Sequence, residues 1–337
     1  MLCGDSSAEK LSIWSMQYEY NVNEHQAAAL AGMRRINGVL IVKIGMSIPS
    51  TIDGVDIDTL KRWMQVIDEG PYSRLSTGER IASPFLDLQI VLAAAAALTK
   101  RVPIQSLISL VPLHEEVLIA KQAASIDVLS NGRYTLGVGV GVREYDYQLM
   151  NKQDYFKGRL ARLDRQVETL REIWRGEYAL PKDAPPIGPS PIQPGGPKIF
   201  SSSLGPKSMA RSAHWADGLA GFNLTADLAE LKQVHDGFAQ AWQQAGRSGK
   251  PWMQVALWFS LGPGAEDKLR AFAKDYMMIF GPEFAEQQSQ RCWLNSEDNI
   301  RKAVAQLAEI GYDEVILTPT SGDLAELELA NELVTAL

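Results

Sequence analysis

Three places along the chain bring together residue types that can do chemistry. Ser201, Ser202 and Ser203 stand just ahead of Gly205 and Lys207, and a helical pattern runs over 207–215. Hydroxyls, a lysine and the free N–H groups of a helix start are the donors that receive a phosphate or another anion. The same residues also read as ordinary serine capping beside an exposed lysine. Glu79 and Arg80 are an adjacent acid and base, and Arg143 with Glu144 is a second such pair. Each can orient a reacting group or close a salt-bridged rim. Gly137, Gly139 and Gly141 alternate along one run. They bare the backbone for a flat ring, or let neighbouring strands pack closely.

Other chemistries find no support. No two of His25, His114, His214 and His235 have the i, i+4 spacing of a metal pair, and Cys3 and Cys292 are the only cysteines, so no metal site is expected. His114 follows a predicted strand, where it could reach a site or cap the next helix; His214 and His235 read as structural or solvated. The alternating glycines lack the Gly-x-x-Gly step of a dinucleotide fingerprint, and no P-loop, zincin motif or nucleophile elbow occurs.

The elements that must position these residues repeat as a unit: a short apolar run, a Gly- or Ser-rich loop, a helical stretch and a glycine. Strands are expected at 39–46, 72–77, 102–108, 134–140, 198–202, 218–222, 253–261 and 314–317. Helical spacing joins Leu160, Leu163, Val167, Leu170 and Trp174, then Leu228, Leu231, Val234, Phe238 and Trp242, then Ile300, Val304, Leu307 and Ile310. Gly70, Gly132, Gly218 and Gly311 are expected as left-handed helix ends. Strands alternating with helices predict a closed (β/α)8 TIM barrel with an insertion before strand five, the alternative being an open doubly wound sheet. In a barrel the functional residues follow the C-terminal strand ends. The insertion, 181–197, carries Pro181, Pro185, Pro186, Pro189, Pro191, Pro194 and Pro197, so it is an extended loop, either a plain connection or a lid over the site. A second extra stretch, 276–297, is expected to be helical and near the mouth.

The 337 residues carry 33 Lys and Arg against 40 Asp and Glu, net −7, and are 46% hydrophobic and 22% charged. This profile is globular and offers no broad basic face for nucleic acid or anionic lipid. The longest uncharged apolar run, 91–98, falls far short of the roughly 18 residues of a membrane span. Sparse cysteine and the lack of a signal-peptide pattern point to the cytoplasm. Residues 39–337 read as one barrel domain, and residues 1–38 as an N-terminal extension that the barrel does not need, with Met33 an alternative start.

The segment Asp127, Leu129, Ser130, Gly132 and Arg133, followed by Leu136-Gly137-Val138-Gly139, resembles the signature of the bacterial-luciferase-like monooxygenase family of flavin- and deazaflavin-dependent enzymes. Residues 159–174 are similar to the family's following helix and 205–218 to its phosphate-loop helix, and the resemblance runs from about residue 39 to the C-terminus. It implies a barrel with the cofactor ring in its mouth, against a third-strand bulge at Ser106 and Leu107 with Ser109 following, often with a non-prolyl cis peptide. The phosphate is then expected on Ser202, Ser203, Gly205 and Lys207, and Gly137 and Gly139 lie beside the ring. The implied activity is oxidation of a small organic substrate by reduced FMN and O2. Arg80, oriented by Glu79, and His114 would be the donors for developing negative charge. Since no nicotinamide fingerprint is present, a separate flavin reductase is expected, and the family's habit implies a homo-oligomer. Many deazaflavin-dependent members carry His where this chain has Arg80, which favours FMN. Hydride transfer with the deazaflavin coenzyme and a non-catalytic flavin-binding barrel are the alternatives.

Overall fold

A computed structural model describes residues 42–337 and, before them, the backbone of 35–36 and 39–40. Eight strands form the barrel: β1 Lys43–Ser47, β2 Leu75–Thr77, β3 Ile104–Ser106 and β4 Tyr134–Val138. They continue with β5 Lys198–Ser201, β6 Gly218–Asn223, β7 Trp252–Phe259 and β8 Glu314–Pro319. Each pairs in parallel with the next, and β8 closes on β1. The register sets Met46 opposite Leu75, Thr77 opposite Ser106 and Val138 opposite Ser201. The chain has a (β/α)8 TIM barrel, as its alternating pattern requires.

The first half contributes α1 Ile57–Glu69, α2 Leu88–Leu98, α3 Glu116–Leu129, the short α4 Glu144–Leu149 and α5 Arg159–Arg175. The second half contributes α6 Pro206–Ser212, α7 Leu228–Gln244, α8 Ala265–Met277, α9 Pro282–Ser289, α10 Glu297–Ile310 and α11 Leu324–Thr335. Short acidic or hydroxylic residues start many of them at the mouth: Asp56, Asp87, Asp227, Ser296 and Asp323 each accept a first-turn N–H. Apolar stripes then face the sheet. On α7, Leu231, Phe238 and Trp242 are buried, each large side chain contributing about 1.5 to 3 kcal/mol.

The interior is polar and graded. At the strand starts, Arg74 Nε donates to Glu314 Oε2 at 3.0 Å, Gln254 Nε2 donates to the same oxygen at 2.8 Å, and Gln105 bonds Gln254. This buried network plugs the barrel's N-terminal end. Nearer the mouth small hydroxyls take over: Ser47 bonds Ser76 at 2.8 Å and Thr318 at 3.2 Å, and Ser50 bonds Thr77. Short side chains form the floor beneath the C-terminal strand ends.

Several expectations change. The first strand starts at Lys43 rather than residue 39, because Val39 and Leu40 pair antiparallel with Ile36 and Arg35 in a small separate sheet. The N-terminal extension and the Met33 start concern residues that otherwise lie outside those described. Gly132 and Gly311 are left-handed helix ends, with φ of 76° and 111°. Gly70 and Gly218 are not: Gly70 is extended, with φ of −82°. Gly218 opens β6, where a side chain would press on the Trp252 carbonyl.

The proline-rich segment lacks regular structure, as its composition demands, but it is not a lid. Ile192 N and Gln193 N donate to Asp127 Oδ2 at 2.8 and 3.0 Å, and Gln193 Nε2 donates to the Tyr134 carbonyl at 2.6 Å. Asp127 lies near the end of α3 and Tyr134 opens β4, so the segment is strapped to the end of the barrel opposite the mouth. Topology is the reason: it joins the end of α5 to the start of β5, and both points lie on that face.

Candidate active site at the barrel mouth

The loops after β2 and β3 build one side of the mouth. Glu79 follows β2, and a 3-10 turn at Val111–Leu113 presents His114. His114 Nε2 and Glu79 Oε1 are 2.7 Å apart, with side chains 15% and 3% exposed. Glu79 Oε2 accepts from Leu110 N at 2.5 Å and from Ser109 Oγ at 3.4 Å. Burial favours the neutral imidazole, but the hydrogen bond and charge of Glu79 outweigh it and hold His114 above its ordinary pKa. With Nε2 on the carboxylate, Nδ1 is the nitrogen left to exchange a proton. The expectation that Glu79 orients Arg80 is therefore corrected: the carboxylate turns to His114 because the β3 loop offers it an imidazole, a hydroxyl and an N–H together.

The third-strand bulge lies where the resemblance implies. β3 stops at Ser106, a cis peptide joins Leu107 to Ile108, and the chain rejoins β4 at Ser109 opposite Val138. Ser106 and Ser109 are fully buried. Ser106 Oγ donates to the Gly137 carbonyl and accepts from Gly137 N, both at 2.9 Å. The Ser106 carbonyl fills the space a side chain at Gly137 would need, and the Ile108 side chain fills that at Gly139. These two glycines thus let the bulge pack on β4, which was the plainer of their two readings. Of the expected ring contacts, Leu107, together with its neighbour Ile108, keeps partial exposure.

In the loop after β5, Ser203 is buried and its hydroxyl bonds Ser201 at 2.7 Å and Ser212 at 2.9 Å. That chain of hydroxyls fastens α6 and commits Ser203 inward. Ser202 is half-buried, and Lys207 is exposed with no partner among the described residues. Gly205 caps α6, its N–H facing Ser208 Oγ at 3.3 Å. A residue missed by sequence reasoning is Arg159, at the start of α5, whose Nε is buried without a partner. Its guanidinium lies over Phe156 at 4.1 Å and Nη1 donates to the Phe156 carbonyl at 2.6 Å. Nothing in the sequence separates Arg159 from the other arginines of the helix except its place at the mouth end. Ser202 and Lys207 thus keep donors free at this strand end, and Arg159 keeps one at the start of α5.

Arg80 and Arg143 both lie against the Tyr276 ring, with guanidinium carbons 4.8 and 5.2 Å from its centroid. Tyr276 belongs to α8 and packs on Trp258 at 4.8 Å. The extra segment after β7 thus reaches the mouth, as expected. His214 and His235 stand apart, His235 bonding Asp236 at 3.0 Å. Among the described residues no group of three or more His, Cys, Asp or Glu side chains could hold a metal, and no helix is long and apolar enough to cross a membrane.

Comparison with known proteins agrees with this geometry. The oxygenase component of a flavin-dependent trigonelline monooxygenase from Acinetobacter baylyi is 26% identical over 167 residues, 45% of this chain and 44% of that protein. An F420-dependent secondary alcohol dehydrogenase, solved with an F420–acetone adduct, superposes with a TM-score of 0.72 at 16% identity, covering 88% of this chain and 99% of that one. The oxygenating constituent of 3,6-diketocamphane monooxygenase from Pseudomonas putida, solved with FMN, superposes with a TM-score of 0.67 at 15% identity, covering 87% and 96%. At such identity these structures speak for the fold. A model of the luciferase-like monooxygenase family matches residues 41–306, and the chain belongs to that family.

Proposed function

We propose that this protein is the oxygenase of a two-component system, using reduced FMN and O2 to oxidise a small organic substrate. The observation that carries the reading is the Glu79–His114 pair, an imidazole held toward its protonated form beside the half-buried Leu107 and Ile108. Features of the chain suit a flavin-type group: the unpaired Lys207, Ser202 and the orphaned Arg159 Nε for its phosphate, and Leu107 and Ile108 for its ring. Bound and reduced, that group supplies electrons to O2, so that one oxygen atom goes to the substrate and the other to water. The chain's own part is to hold a proton on His114, exclude water with the apolar bulge, and place cations at the mouth.

The name of the Acinetobacter relative, an oxygenase component, supports a separate reductase, as does the absence of a dinucleotide fingerprint from this sequence. Assembly with further copies of the chain is supported by apolar side chains bared on α2 and α3: Ile90 is 67% exposed, Leu98 54%, Leu118 51% and Leu129 55%. One observation favours hydride transfer with the deazaflavin coenzyme as a second reading. Although position 80 is Arg, His114 still brings an imidazole to the mouth from another strand.

Titration with FMN, reduced FMN and the deazaflavin coenzyme, read by absorbance and fluorescence, tests both. Tighter binding of reduced FMN, with oxygen consumed only when a reductase is added, is the expected result. Preference for the deazaflavin selects the second reading. Failure to bind either below about millimolar, a weak affinity of about 4 kcal/mol, overturns both. Rapid FMN reduction by NADH and the pure protein alone overturns the separate reductase.

A further inference from the structure

Beside the Glu79–His114 pair in sequence, Arg80 joins Arg143 on one aromatic ring, and the two guanidinium groups lack a counter-charge. Arg80 comes from the loop after β2, Arg143 from the loop after β4, and Tyr276 from α8. Buried Arg80 Nη1 and Arg143 Nη2 have no hydrogen-bond partner, and no carboxylate among the described residues pairs with either side chain. Of the acids nearby, Glu79 is bonded to His114, Asp146 accepts from the Ala82 N–H at 3.2 Å, and Glu144, beside Arg143 in sequence, is exposed and forms no pair with it. Like charges brought together in a partly desolvated place repel, and a buried donor left unmade is costly. An aromatic face offsets this only in part.

The other neighbours of the ring are apolar. Tyr276 packs on Trp258 at 4.8 Å and on Phe222 at 6.5 Å, and Phe222 meets Trp258 at 5.0 Å. Phe222 and Tyr276 keep partial exposure. Two guanidinium groups against one ring, each with a buried donor left unmade, offer the charge and the N–H groups that a carboxylate accepts from. A flat apolar body attached to that carboxylate would find the Phe222–Trp258–Tyr276 wall beside it.

We propose that Arg80 and Arg143 form the substrate's anion site and that the substrate is a small carboxylate with a planar apolar body. This rests on the mouth being the reaction site, and it assigns the two arginines to the substrate, with the cofactor's phosphate left to Ser202, Lys207 and Arg159.

The test is calorimetric titration of the protein, with and without FMN, using benzoate and its neutral isostere benzamide. Benzoate is expected to bind at least about tenfold more tightly than benzamide. Arg80→Gln and Arg143→Gln should each lose most of that preference, and the double variant should lose little more than the worse single one, since both arginines hold one group. Arg80→Lys and Arg143→Lys, which keep the charge, should retain part of it and guard against simple misfolding. FMN affinity should stay within about twofold in all variants. Equal or absent binding of the two probes overturns the proposal, as does additive loss in the double variant. Loss of FMN affinity in the glutamine variants assigns the arginines to the cofactor instead and overturns the substrate site while leaving the oxygenase reading intact. Charge-selective benzoate binding by a protein that binds no flavin or deazaflavin supports the anion site and overturns the oxygenase reading.

Discussion

Two extra segments interrupt the barrel's repeat, and they do opposite work. The proline-rich 176–197 joins a helix end to a strand start, and its bonds to Asp127 and Tyr134 hold it against the closed end of the barrel. The segment 260–296 follows a strand end, and through Tyr276 it meets Arg80 and Arg143 at the open end. Composition by itself leaves the proline-rich segment as either a plain connection or a lid. Place in the strand–helix cycle decides instead, because every strand runs toward the mouth and every helix returns from it.

The contrast can be broken by substitution, and the largest effect is expected at the closed end. Gly196 abuts the Trp174 ring, which is held between α5 and α3 by its Nε1 bond to the Ala120 carbonyl at 3.0 Å. Gly196→Val should cost about 3 kcal/mol of stability by overpacking, with FMN affinity unchanged; a urea midpoint and a flavin titration check this together. A flavin affinity that fell in proportion would place the segment at the site.

Asp127→Ala should come next. It removes the acceptor of Ile192 N, Gln193 N and Gln193 Nε2, at a cost of about 2 kcal/mol. The segment should become sensitive to proteases while the mouth stays intact, read by limited proteolysis of the FMN-bound protein.

At the open end, Glu79→Gln is expected to cost about 1 to 2 kcal/mol, and the effect depends on pH. His114 is held above its ordinary value in the folded chain. Its protonated ring therefore adds stability that is full below the unfolded pKa of about 6.5 and is lost as pH rises through the folded one. The variant should lower the His114 midpoint in NMR titration and erase that pH-dependent part of the stability. An unchanged midpoint would show that the pair is not coupled.

The smallest effect on stability is expected from Tyr276→Leu, about 1 kcal/mol for two partly exposed cation–π contacts. It should nevertheless weaken benzoate binding, which Gly196→Val and Asp127→Ala should not. Thermal unfolding and calorimetry of the three variants separate the two ends of the barrel.

Much of the architecture was legible. All eight strands fall within a few residues of their predicted positions, because apolar runs of strand length between Gly- and Ser-rich loops have few other uses. The ends were less legible. The third strand was expected over 102–108 but ends at Ser106, where the chain leaves the ladder for the bulge and returns at Ser109. The site was legible as loops and not as pairs. Glu79, Arg80 and His114 were singled out by their places after strands, yet the pairing of Glu79 with His114, and of Arg80 with Tyr276, crosses between separate loops. Ser203 and Gly137 carried the right residue types, but their polar groups are spent inside the barrel.

The sequence by itself determined the (β/α)8 barrel, the family and the loops that carry chemistry, since periodicity, glycines and short motifs are local properties of the chain. Tertiary structure alone decided which acid meets which base, which hydroxyls face inward and which insertion covers the mouth. Those outcomes depend on closing β8 onto β1, which brings loops far apart in sequence within a few ångströms and lets burial and charge choose their partners.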